Sequence, residues 1–183
     1  MGPAAALALV NLVGGTAVLT SYVWGVWQFD DPATALWGDA PAIVRSSALV
    51  TMLLAAAGYL WVVWGHLLWQ SEFSATLFRG QNAAWLIVGV DAIILLFSAA
   101  WMPLTVAAIQ RQSDLLRYLV FAVLWCVAGA TMVLVWVIAT LESTAPSWSH
   151  RLAVAGTLAF ALQTIALDAI IWVLGFNPTG DTP

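Results

Sequence analysis

The chain has no lysine, a single cysteine and little charge of either sign, with five basic and nine acidic residues in 183. Each shortage excludes something. Without a lysine no retinal Schiff base can form, which rules out a rhodopsin on chemistry. One cysteine, Cys126, leaves no internal disulfide and no multi-cysteine metal site. A glycine-rich phosphate loop, an HExxH pair and a serine nucleophile with histidine and acid at a family spacing are also absent from the sequence. No catalytic or metal-ligating set is therefore assigned, and binding is favoured over enzymatic activity. Only two histidines are present, His66 and His150, both near the same membrane face at span ends, which argues against a bis-histidine haem deep in the protein. The net charge of −4 comes mostly from loop acids; it argues against nucleic acid and against a basic patch for anionic headgroups.

What fills the chain instead is apolar. It is 63% hydrophobic and 8% charged, against about 25% charged for an average soluble domain. A transmembrane helix needs about 20 mainly apolar residues. Five stretches qualify: Ala4 to Trp27, Ala42 to Trp69, Ala83 to Gln110, Tyr118 to Leu141 and Leu152 to Phe176. The expected fold is all-α, a polytopic bundle of five transmembrane helices forming a single domain over residues 1–183. The start, MGPAAALALVNLVGG, has no basic n-region and is expected to be the first span and not a cleaved signal. Arg45, Arg111 and Arg117 fall on the side of the C-terminus, Arg79 and Arg151 on the side of the N-terminus, so the positive-inside rule favours a cytoplasmic C-terminus. A bacterial inner membrane is the expected location. The longest connection, Gln28 to Pro41, holds three acids, two prolines and Trp37, and suits a structured interfacial loop or short surface helix.

Inside the spans stand two acids, Asp91 and Asp168. An ionisable side chain at that depth costs about 2.5–3.5 kcal/mol on insertion scales, which makes each a candidate site residue. Alternate spans run in opposite directions, so depth follows from a rise of about 1.5 Å per residue. On that ruler Asn11, Tyr59 and Asp91 share a layer roughly 10–15 Å from the N-terminal face, with His66 shallower at about 5 Å. Asp168 falls at roughly 24 Å, level with Cys126, so the acids are not expected to form a close pair. Asp91 shares a helical face with Ile87, Val88, Leu95 and Ser98, and Thr164, Asp168 and Trp172 form a stripe at i, i+4, i+8. No basic residue matches either acid in depth. Of the twelve tryptophans, Trp24, Trp27, Trp37, Trp69 and Trp148 fall at span ends or in loops, where an interfacial belt places them. Trp61, Trp64, Trp85, Trp101, Trp125, Trp136 and Trp172 are deeper, where an indole N–H needs a partner and several together can line a pocket. Pro103 is expected to kink the third span beside Trp101.

From Tyr22-Val-Trp24 through Pro32, Trp37 and Pro41 to Met52 and Gly58-Tyr59-Leu60-Trp61, the chain resembles the translocator protein family, also called tryptophan-rich sensory proteins. That resemblance implies five helices, a tryptophan- and proline-bearing first loop, and a pocket for tetrapyrroles, sterols or other flat apolar ligands closed by that loop. The family's full W-x-P-P run is absent, as are its leucine-proline-tyrosine and terminal asparagine features in the last two spans. The runs AVLTSYVWG, LWGDAP, LLAAAGY, SAAWMPLT and LQTIALDAIIW are also similar to an uncharacterised group of small bacterial membrane proteins, which supplies no function and suggests a whole protein.

The leading expectation is a sensor or carrier that binds a small apolar or flat ligand, such as a tetrapyrrole, a sterol-like molecule or another lipid, in an intramembrane pocket. Asn11, Trp37, Tyr59, Asp91, Trp101, Thr164, Asp168 and Trp172 are the candidate ligand-binding residues. Three alternatives stay open: proton or cation conduction through Asp91 and Asp168, an intramembrane lipid isomerase in which a carboxylic acid and an aromatic cage stabilise a carbocation, and an accessory subunit of a membrane complex. The bilayer and a small apolar ligand are the expected partners, with a homodimer or larger complex open.

Overall fold

The computed structural model describes residues 1–37, 42–69, 76–77 and 81–176. Helix α1 (Pro3–Val26) is followed by a short helix α2 (Pro32–Trp37) in the first connection. Helix α3 (Ala42–Leu60) continues without a break into a π-helical segment, Trp61–Leu68. Two residue pairs, Thr76 with Asn82 and Leu77 with Gln81, make a minimal antiparallel hairpin. Helices α4 (Ala84–Arg111) and α5 (Asp114–Thr140) follow, and α6 (Ser147–Ala161) runs on into a second π-helical segment, Leu162–Trp172, and a last turn, Val173–Gly175. Apart from the hairpin and short connections the described chain is helical, and five of its helices are long and apolar enough to cross a membrane. The chain is an integral membrane protein.

Two span boundaries lie outside the apolar stretches read from the sequence, and local chemistry explains both. The fourth span starts at Asp114 because the Ser113 side chain accepts from the Leu116 N–H and Asp114 places a negative charge in the first turn. The fifth begins at Ser147, where polar Ser147, Ser149, His150 and Arg151 lower the hydropathy and yet complete a helical turn behind Pro146. Between α4 and α5 the chain reverses at Gln112, whose φ of 47° and ψ of 48° form a left-handed C-cap. Pro103 lies within α4 without ending it.

Helix α4 is central, packed along α1 on one side and α5 on the other, while α3 and its π segment pack against α6. The main apolar core joins Leu7 of α1, Tyr59, Val62 and Leu67 of the second span, Ile87 and Ile94 of α4, and Leu134 and Ile138 of α5. Lipid offers no hydrophobic drive for helices to associate, so small residues that let backbones touch take on added weight. A Cβ built on Gly58 would stand 2.7 Å from both Cα and O of Gly156, so α3 and α6 cross with their backbones in contact. Gly58→Ala or Gly156→Ala should therefore wedge the crossing open, at a cost of about 1–3 kcal/mol. The expected outcome is a lower thermal unfolding midpoint in detergent for both variants, with no loss for Gly89→Ala, where a Cβ meets nothing within 4 Å.

Candidate functional site

The candidate residues separate into two groups on different levels of the bundle. The first is the layer of Asn11, Tyr59 and Asp91, brought together from α1, α3 and α4 and 7%, 9% and 1% exposed respectively. Asn11 Nδ2 donates to the Leu7 carbonyl (3.0 Å) and to Asp91 Oδ2 (2.7 Å). The Tyr59 hydroxyl reaches Asn11 Oδ1 (2.8 Å) and also Asp91 Oδ1. Beyond the polar atoms, the Tyr59 ring lies against Phe160 with centroids 5.2 Å apart.

The Tyr59 hydroxyl faces two oxygens, Asn11 Oδ1 and Asp91 Oδ1, while Asn11 Nδ2 faces Asp91 Oδ2. A neutral carboxyl that donates to Tyr59 and accepts from Asn11 would satisfy all three contacts. The group ties three spans together.

A carboxamide reproduces that donor-and-acceptor pattern in nearly the same shape. Asp91→Asn should keep the wild-type unfolding midpoint and remove from the infrared spectrum one carbonyl band of a protonated carboxylic acid. Asp91→Leu should lower stability by about 1–3 kcal/mol for each of the two polar groups it strands.

The second group surrounds Asp168 on the π segment Leu162–Trp172. Gln163 Nε2 donates to Asp168 Oδ1 at 2.8 Å. Residues five apart lie about 140° apart around an α-helix, at about 100° per residue, and could not meet. In a π-helix, with its i→i+5 ladder, they stack. The sequence stripe pointed to Thr164 instead, and the structure corrects that neighbour: Thr164 Oγ1 donates to the Phe160 carbonyl (3.0 Å) of its own helix. Trp172 does belong to the group and is 6% exposed. Its ring stacks on Phe176 (4.2 Å) and meets Trp101 edge-on (5.5 Å, 75°), and Trp101 in turn lies 5.3 Å from Tyr22. Tyr22 is within electrostatic reach of Asp168.

Helix α2 closes over these aromatics. Asp31 starts it by accepting from Thr34 N–H at 3.2 Å, with Pro32 preset for the first helical position. Hydrogen bonds from Thr34 hold the Asp31 carboxyl below the usual aspartate range. Leu36 packs on Met102 and Val106 of α4, with Tyr22, Phe29, Trp37 and Trp101 around them. The Leu36 carbonyl accepts from the Trp172 indole at 3.1 Å, so one hydrogen bond fastens the loop helix to the fifth span. Trp37 is half-buried and also packs towards the cluster of Ala108, Leu124 and Trp172. Gly38 to Pro41, the remainder of the expected lid, lie outside the described residues.

Two buried polar atoms in this group have no hydrogen-bond partner, the Trp101 Nε1 donor and the Gln163 Oε1 acceptor. Tyr22 and Gln163 are not among the residues singled out from the sequence. Gln163 stood in plain view as a polar residue inside an apolar run, but only the π winding carries it to Asp168. Of the other deep tryptophans, Trp64, Trp85, Trp125 and Trp136 point outward, 38–59% exposed, while Trp61 is only partly exposed. Cys126 is likewise on the outside. Among the described residues no group of three or more potential ligands could hold a metal ion.

No protein-family model matches the chain, nor does any curated protein or solved structure.

Proposed function

We propose that the protein binds a small, largely apolar molecule with a hydrogen-bonding edge in the Asp168 group beneath α2, and acts as a sensor or carrier. A flat tetrapyrrole, a sterol-like molecule or another lipid fits that chemistry. The supporting observation is the pair of unused polar atoms, Gln163 Oε1, on the side chain bonded to Asp168, and Trp101 Nε1, on the ring packed against Trp172. A buried donor or acceptor without a partner costs about 1–3 kcal/mol, and a ligand bearing an acceptor and a donor would recover that energy. Ligand sites are characteristically apolar and aromatic with a few placed polar groups, which describes Tyr22, Trp101, Trp172, Gln163 and Asp168. The Asn11–Tyr59–Asp91 triad supports the walls of this bundle and contributes no ligand contact.

Purified protein should be titrated with protoporphyrin and with a sterol, and its solvent extract examined by mass spectrometry. Asp168→Leu is expected to abolish retention of whichever molecule binds, and Asp91→Asn to leave it unchanged. Trp172→Phe removes the bond to the Leu36 carbonyl, worth about 0.5–1.5 kcal/mol, and should speed ligand release roughly 2- to 13-fold. Equal retention by wild type and Asp168→Leu would end this reading. Proton flux into liposomes that is lost in Asp168→Asn, without any bound ligand, would favour conduction instead.

A further inference from the structure

On the opposite side of the bundle from α2, where the second span ends and the fifth begins, a recess of about 490 Å³ is lined by Trp61, Trp64, Gly65, Trp69 and Trp148. Among the described residues the lining is four indoles and a glycine, none of them charged. Its two halves come from different spans: Trp61 and Trp148 stand with ring centroids 5.8 Å apart and planes inclined at 39°. Gly65 shapes the wall, because a Cβ there would lie 2.7 Å from the Trp61 ring, so only glycine lets that indole rest against the π segment.

Behind the recess the two spans are pinned. His66, fully buried, hydrogen-bonds through Nδ1 to Ser149 Oγ (3.2 Å) and through Nε2 to His150 Nδ1 (3.4 Å). His66 and Ser149 are the immediate sequence neighbours of the lining residues Gly65 and Trp148. The walls are therefore held in place before anything binds, which reduces the ordering cost of binding. Among the described residues lining the recess, Trp61 carries a buried polar atom without an acceptor, its Nε1.

We infer that this recess is a binding site for a lipid headgroup carrying a methylated ammonium beside a phosphate. A cluster of indoles attracts a cation by the quadrupoles of its rings, which is how aromatic cages take quaternary ammonium groups. An apolar occupant would leave the Trp61 N–H stranded, whereas a phosphate or ester oxygen satisfies it. Trp69, just past Leu68, and Trp148, at the second position of α6, put the mouth at the level of headgroups. The site is separate from the Asp168 group and does not depend on a ligand being bound there.

The test is native mass spectrometry of the full chain in a neutral detergent, titrated with lysophosphatidylcholine, with lysophosphatidylglycerol of the same acyl chain, and with soluble phosphocholine. The expected result is one phosphatidylcholine-type lipid held at least tenfold more tightly than its glycerol counterpart, with phosphocholine alone much weaker than the lysolipid. Trp148→Leu, at a half-exposed position that can change without unfolding the chain, should erase the tenfold preference. Gly65→Ala should reduce it by pushing the Trp61 ring aside. Trp125→Leu, on the outward face of α5, should leave it intact. Equal affinity for the two lysolipids, or an equal loss on removing Trp125, would make these tryptophans an ordinary interfacial belt and overturn the assignment. Phosphocholine binding as tightly as the lysolipid would overturn the choice of a lipid.

Discussion

The hydrogen-bonded triad of Asn11, Tyr59 and Asp91 fixes α1, α3 and α4 as neighbours. Apolar side chains cannot do so in lipid, where Leu against Leu is scarcely better than Leu against an acyl chain. Asp91 of α4 meets Asn11 of α1 through one oxygen and Tyr59 of α3 through the other. Once that layer is closed, the remaining contacts can be loose. Leu95, one turn along from Asp91, then meets α1 at Gly14, and Phe160 of the fifth span rests on the Tyr59 ring.

The network also separates two roles that the sequence alone presents as one. Asp91 and Asp168 look alike as isolated acids in apolar helices. In the fold they have no partner in common. Among the described residues Asp91 has a partner on each oxygen, whereas Asp168 is bonded by Gln163 alone, and that partner's carbonyl oxygen is unused. A completed network specifies a structure, and an incomplete one leaves capacity for something else.

Much of the fold could be read in advance because the helical rise turns sequence position into depth. The ruler put Asn11, Tyr59 and Asp91 in one layer and Asp168 in another, and hydropathy placed the five spans to within a few residues. What it could not supply was rotation about the helix axis. An apolar run does not announce a π segment, so the α-helical stripe named Thr164 where Gln163 belongs. For the same reason the sequence does not match Gly156 to Gly58, and it sets the two histidines near one face without giving their contact. The aromatic content was informative only in bulk: exposure alone separates Trp125, facing outward, from Trp101, with its buried indole nitrogen.

The π segments carry one more implication. Both lie on the two spans that touch at Gly58 and Gly156, one directly after each glycine's α-helical stretch. Widening the coil changes the angular phase of every side chain beyond it. Gly156 can therefore keep its backbone against α3 while, further along the same rod, Trp172 turns to meet α2 and Asp168 meets Gln163. On the second span the same change of phase presents Trp61 and Gly65 to the membrane boundary while His66 stays sealed inside. The two helices behave less like uniform cylinders than like keyed shafts, each cut at one angle for assembly and at another for its chemistry.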